Sequence, residues 1–345
     1  MRIHLGHHFY GAGNLGDDFM LAGFLQTIAK LVPTAAITGC VPFPLDPLRR
    51  RFPQIEWHEY TVEARTSCIR AADAWLGLGG SPFQAAQSRW FIDHLIGDLD
   101  LCHAVRRPMF FVGIGVQTPA ELENPDVLRV CRAAHTIWTR DRVSAKRLSP
   151  IASTRVHAAA DLSHALFRRS SLPSPARDSI GIVANCDYQA WPQLSGWVEA
   201  LEILRPQKRF WIAQETRDLP GAERALFGSL PERLRSRWEM RDADEPECPL
   251  SDVIAEWPTP DLLVTCRYHA AIASAWAGAK VLVVEINEKL RSIARDLGVP
   301  AVAPTASTAE LISAISQTHR AANLDHLAEA AERACRDFIL AASTA

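Results

Sequence analysis

A chain of 345 residues is about twice an ordinary single-domain length, so two domains are expected. A formal charge of -2, with 48% apolar and 22% charged residues, describes a globular protein with a substantial core. It offers no basic field for nucleic acid or an anionic membrane, so an anionic substrate must be held by local Arg or Lys residues.

The eight cysteines form no C-x-x-C pair and no disulfide or zinc framework, which reads as buried free thiols in a reducing compartment. Residues 1–18 lack the long apolar core of a signal peptide. No run reaches the roughly 18 uncharged apolar residues that span a bilayer. These features predict a cytoplasmic protein, peripheral to the inner face of a membrane at most.

In chain order, a short strand over residues 2–5 runs into a Gly-rich turn at 11–16 and an apolar helix over 18–31, stopped by Pro33. A second strand follows at 35–41, then a Pro-rich turn region at 42–53. Continuous apolar runs at 74–78 and 108–114, each closed by glycines, read as buried parallel strands. Helices at 89–105, 125–134 and 142–148 alternate with strands at 136–139 and 155–159. The polar, Ser- and Pro-rich stretch 168–178 reads as a linker. The alternation then restarts, with strands at 179–184, 209–213, 238–241, 262–265 and 281–285 and helices between them.

The expectation is an α/β protein of two doubly wound Rossmann-like domains, over residues 1–167 and 179–322. An amphipathic helix at 323–345 is expected to pack back on the first domain. Ligands of such a fold lie at the carboxyl ends of the strands.

Four loops at strand carboxyl ends carry residues suited to chemistry. Gly11 to Asp17, with Gly13, Asn14 and Gly16, permits positive φ and close backbone approach. It is either an anion cradle at a helix N-terminus or a tight turn capped by Asp17 or Asp18. Gly79-Gly80 and Gly113-Ile114-Gly115 read as backbone walls. The fourth loop, Cys266-Arg267-Tyr268-His269, sets a guanidinium and an imidazole at the start of a helix. Arg267 can grip a carboxylate or phosphate through two bonds, and His269 can give or take a proton near neutral pH. Arg140 adds a cation at another strand end, with Asp141 as the cap of the helix after it. His7-His8 has no carboxylate or cysteine at ligand spacing, so no metal is expected. The ten tryptophans are scattered and read as packing or as walls of a cleft.

In this order and spacing, Gly13 to Asp17, Gly79-Gly80, Gly113 to Gly115, Thr139 to Ser144, Ala160-Asp161, Arg267 to Ala273, Glu285 and Lys289 resemble the polysaccharide pyruvyl transferase family. The resemblance runs from about residue 11 to about residue 298. It departs at Leu78, where the family tends to continue a glycine triplet, and at Pro82, and no motif follows Gly298.

The resemblance implies a GT-B-like glycosyltransferase architecture, with the acceptor on the first domain and the donor on the second. It implies transfer of a pyruvyl group from phosphoenolpyruvate to sugar hydroxyls as a ketal, on an exopolysaccharide or another glycan, lipid-linked or free. It makes His269 the general acid, and Arg267, Arg140, Tyr268 and Lys289 the donor-binding residues. Asp17 would orient the acceptor hydroxyl, and Gly13, Asn14, Gly16, Gly79, Gly80, Gly115 and Glu285 would line the site. No cofactor or metal is required. A glycosyltransferase using a nucleotide sugar, with Glu285 on the ribose, is the alternative enzyme. A non-catalytic glycan- or anion-binding protein is the alternative from another class.

Overall fold

The computed structural model describes residues 1–84, 89–152, 155–185, 191, 193–217 and 221–345. Pro192, expected to start a helix, and Cys186 lie outside them. Two compact units emerge. The first holds Met1–Ala12, Asp17–Arg168 and Asp325–Ala345, and the second holds Gly13–Gly16 and Arg169–Leu324.

The chain begins with β1 (Arg2–Leu5), α1 (Leu15–Leu31), β2 (Ala36–Val41), α2 (Leu45–Arg51), β3 (Ile55–Glu59), α3 (Val62–Ala71) and β4 (Ala74–Leu78). It continues through α4 (Trp90–Ala104), β5 (Met109–Ile114), α5 (Pro125–Ala133), β6 (Thr136–Thr139), α6 (Arg142–Leu148), β7 (Arg155–Ala158) and α7 (Ser163–Phe167). All seven strands are parallel, in the order β3-β2-β1-β4-β5-β6-β7. The central strands β4 and β5 are buried along their whole length, as a parallel sheet covered on both faces requires. Their side chains join a core that includes Trp75, Phe83, Phe111, Ile114 and Val130.

The second unit runs through β8 (Ala176–Val183), α8 (Leu194–Ile203), β9 (Lys208–Ala213), α9 (Glu223–Ser229), α10 (Glu232–Arg235) and β10 (Glu239–Asp242). Then come α11 (Leu250–Ala255), β11 (Pro260–Thr265), α12 (Tyr268–Trp276), β12 (Lys280–Val284), α13 (Glu288–Leu297), β13 (Ala301–Val302) and α14 (Thr308–Ser316). Its six strands are again parallel, in the order β10-β9-β8-β11-β12-β13. Strand order reverses at β1 in one sheet and at β8 in the other, and the carboxyl ends beside those points are where an open α/β sheet takes ligands.

Several expectations need correction. The stretch 42–53 is not simply a turn: it holds α2, because Pro47 falls in the first helical turn, where a missing N–H does no harm. β3 and α3 escape the reading because polar residues interrupt both IEWHE and VEARTSCIRA. The stretch 168–178 is not all linker, since β8 begins at Ala176 and Arg168 belongs to the first unit. Residues 13–16 group with the second unit, not the first.

The final helix α15 (Asp325–Thr344) packs on the first unit. Its Phe338 is fully buried, 5.3 Å from the Phe110 ring and 6.1 Å from that of Phe24. At its start, Arg168 reaches Asp325, Glu329 and Glu332 at 3.1, 3.5 and 3.9 Å. No described helix is long and apolar enough to cross a membrane.

The two anchors differ in kind. Phe338→Ala is expected to lower unfolding free energy by about 3–5 kcal/mol, the usual loss for a buried aromatic. Arg168→Ala, whose carboxylate partners are mostly solvated, is expected to cost about 1 kcal/mol or less. Urea unfolding of the two variants measures both.

Candidate functional site

In the second unit, β11 ends at Thr265, whose hydroxyl accepts the Arg267 backbone N–H at 2.9 Å. This short turn sets Arg267 just ahead of α12, a helix of small residues that is buried nearly throughout. The Arg267 guanidinium lies between two fully buried carboxylates. Its Nε donates to Glu223 Oε1 at 2.7 Å and its Nη2 to Glu215 Oε2 at 3.1 Å. Glu215 also accepts two bonds from Arg217, at 2.6 and 2.7 Å. Burial pushes the Glu223 carboxyl above its ordinary range, Arg267 pulls it down, and neighbouring Glu215 raises it again. Two guanidinium groups and two carboxyl groups thus balance within one patch.

The Gly-rich loop closes on this patch. Asn14 pairs with Glu215 in an antiparallel bridge, and Gly13 O accepts the Thr216 N–H at 2.9 Å. Gly13 has φ +88°, and a Cβ there would fall 2.3 Å from Thr216 Oγ1. A Cβ on Gly16 would fall 2.0 Å from Nδ1 of His269. The imidazole can sit against the start of α1 only because position 16 has no side chain. His269 is buried, as is Tyr268, whose ring lies 5.3 Å from it. α1 starts at Leu15 and Asn14 Oδ1 accepts from Gly16 N, so neither Asp17 nor Asp18 is the cap. Asp18 instead takes Gly11 N at 2.9 Å and Arg51 Nη1 at 2.6 Å in a buried pair.

The first unit brings together its own set. A Cβ on Gly115 would meet Arg140 Nε at 2.5 Å, so the missing side chain makes room for that guanidinium. Arg140 is buried and donates from Nη2 to Ser81 Oγ at 3.0 Å. Asp141 caps α6, with Ser144 N at 2.7 Å from Oδ1. Gly79 and Gly80 both take positive φ and line the turn after β4, where Gly80 O accepts the Gly115 N–H at 2.8 Å. Asp17 lies in the first turn of α1, and its charge helps raise the buried Tyr10 phenol, after desolvation.

Arg267, His269, Gly13, Asn14 and Gly16 therefore share one patch of the second unit, and Arg140, Gly80 and Gly115 share another in the first. Glu285, just past β12, accepts from Arg291 Nε at 3.0 Å, and Lys289 lies in the first turn of α13. Sequence reasoning missed Glu215, Arg217 and Glu223. Glu215 sits two residues past β9, the same strand-end position as the other site residues, and that signal was available. Glu223 opens α9 with nothing in the local sequence to mark it.

His7 and His8 lie beyond the end of β1. Both rings approach Phe91, at 5.3 and 5.2 Å. Burial pushes the His7 imidazole down to about 3, which keeps it neutral.

No family model and no curated protein matches the sequence. Solved structures do match along the whole chain. A UDP-GlcNAc 2-epimerase from Neisseria meningitidis, bound to UDP-GlcNAc, is similar with TM-score 0.60 and 12% identity, covering 100% of each chain. Anabaena Alr3699/HepE, in complex with UDP and glucose, is similar with TM-score 0.57 and 11% identity, covering 100% of this chain and 98% of that one. Sucrose-phosphate synthase from Thermosynechococcus elongatus is similar with TM-score 0.55 and 10% identity, covering 100% and 97%. At such identities the likeness defines the fold: two parallel-sheet α/β domains of GT-B-like architecture.

Arg267→Ala would leave two buried carboxylates facing each other without their shared cation. A loss of about 3–5 kcal/mol in stability is expected, partly restored by adding Glu223→Gln. Thermal unfolding of the single and double variants tests this, and equal melting temperatures for wild type and Arg267→Ala would refute it.

Proposed function

We propose that this chain is a carbohydrate-acting enzyme that takes a phosphate-bearing donor at the turn between β11 and α12. The donor best supported is a nucleotide sugar. The carrying observation is the whole-chain likeness to structures solved with UDP, UDP-glucose or UDP-GlcNAc. In this reading the N–H groups at the start of α12 face the diphosphate, and Arg267 offers its charge beside them. An acceptor hydroxyl attacks the anomeric carbon, the diphosphate leaves, and His269 serves as the proton carrier.

The second reading is pyruvyl transfer from phosphoenolpyruvate. One observation favours it: residues of the ordered motif set meet in pairs, Gly16 with His269 and Gly115 with Arg140, each glycine making room for the functional side chain. His269 would then protonate the methylene carbon of the enol phosphate. A sugar hydroxyl attacks the resulting cationic centre, phosphate departs, and a second hydroxyl closes the ketal. Arg267 would hold the phosphate or the carboxylate of the donor.

The readings separate by leaving group. Release of UDP from UDP-glucose or UDP-GlcNAc supports the first, and sugar-dependent release of inorganic phosphate from phosphoenolpyruvate supports the second. Failure of wild type to bind either donor in calorimetry rejects both. Arg267→Lys keeps a cation between the glutamates but loses the planar fork, so donor affinity is expected to fall roughly 10- to 100-fold. His269→Gln is expected to lower kcat by about 100- to 10,000-fold with smaller change in donor affinity.

A further inference from the structure

Apart from the two patches around Arg267 and Arg140, the first unit carries a cluster of rings at the carboxyl-end side of its sheet. His8 follows β1, Tyr60 follows β3, and Trp90 opens the helix after β4. His8 is 1% exposed, yet among the described residues neither of its ring nitrogens has a hydrogen-bond partner. A neutral imidazole carries one donor and one acceptor, so both functions are unmet. Buried polar atoms are nearly always paired, and an exception calls for a water or a ligand.

Among the described residues, Nε2 of neighbouring His7 is likewise without a partner, while the polar groups on the other side of His8 are linked to one another. His94 Nε2 lies 2.7 Å from Gly6 O, a pure acceptor, so that nitrogen carries the proton. Its Nδ1 therefore accepts from the Tyr60 hydroxyl at 2.5 Å, and the Tyr60 oxygen accepts from Arg65 at 2.8 Å. Asp98 closes the chain, 2.8 Å from both Arg65 Nε and Trp75 Nε1. The Arg65 charge is thereby neutralised within the cluster. His8 itself stays uncharged, held down to about 2 by burial, with His94, His7 and Arg65 adding repulsion. Its ring is 4.4 Å from Trp90, 4.3 Å from His94 and 4.9 Å from Tyr60. Trp90 is 53% exposed, the largest apolar side chain left so open among the described residues.

An uncharged polar imidazole beside an exposed indole, with the nearby Arg65 charge already paired to Asp98, suits an uncharged polyol and not an anion. We propose that His8 and Trp90 form a saccharide subsite, with a pyranose C–H face stacked on the indole and a ring hydroxyl bonded to the imidazole. That this sugar is the acceptor rests on the proposed function; that a sugar binds does not.

The test uses the full chain with methyl glucoside, methyl galactoside, methyl mannoside and N-acetylglucosamine as probes. Saturation-transfer NMR reports contact with the sugar, and histidine ring ¹⁵N shifts report on His8. At least one probe is expected to receive saturation through its C–H protons and to shift the His8 nitrogens. Trp90→Ala, an exposed change the fold tolerates, is expected to weaken that binding at least about tenfold, with Trp90→Phe recovering part of it. The subsite is overturned if no probe moves the His8 nitrogens, or if binding survives Trp90→Ala undiminished. Donor binding to wild type is measured in parallel, so loss of UDP and phosphoenolpyruvate binding with sugar binding intact counts against the proposed function alone.

Discussion

Arg267 cannot be understood apart from Glu215 and Glu223. A guanidinium with two buried carboxylates is held in one orientation, and each carboxylate is tolerable in the interior only because the guanidinium is there. The same Glu215 also pairs through its backbone with Asn14, so the loop before α1 is registered against the turn before α12. His269 then takes its place against Gly16. Orientation, charge balance and loop position at this site all trace to one buried network, whose net charge is near zero without a ligand. An incoming anion would meet oriented donors in balanced surroundings, not a bare cation.

Glycine has a particular use here. Positions 16 and 115 are glycine because an imidazole and a guanidinium occupy the space a Cβ would need, at 2.0 and 2.5 Å. Position 13 adds a positive φ to the same requirement. These glycines keep room for the imidazole and the guanidinium, since any side chain there would displace them. Gly79 and Gly80 serve the turn instead, with φ of +69° and +73°.

Much of this was legible before any coordinates. The runs AWLGL and MFFVGI announced buried parallel strands because both faces of such a strand are covered, and the alternation with helices announced two doubly wound domains. Arg267, His269 and Arg140 were visible as polar residues following apolar strands, and Asp141 as a cap. Glu215 carried the same strand-end signal and was passed over; the rest of what escaped had weak local signals. β3 and α3 are interrupted by polar residues, and Glu223 opens an ordinary-looking helix. The cap of α1 was misassigned because Asn14, Asp17 and Asp18 all suit an N-cap, and only backbone geometry selects among them.

The sequence by itself determined the architecture and the residue types at strand ends, because periodicity and glycine placement are local properties written along the chain. The partners of those residues were decided only by tertiary structure. Glu215 and Glu223 lie 52 and 44 positions from Arg267, and Asp18 lies 33 from Arg51. The surroundings of His8, whose nitrogens have no partner among the described residues, depend on rings brought together from the loops after β1 and β3 and from α4. A side chain's charge state and availability follow from what surrounds it in space, and no local pattern encodes that.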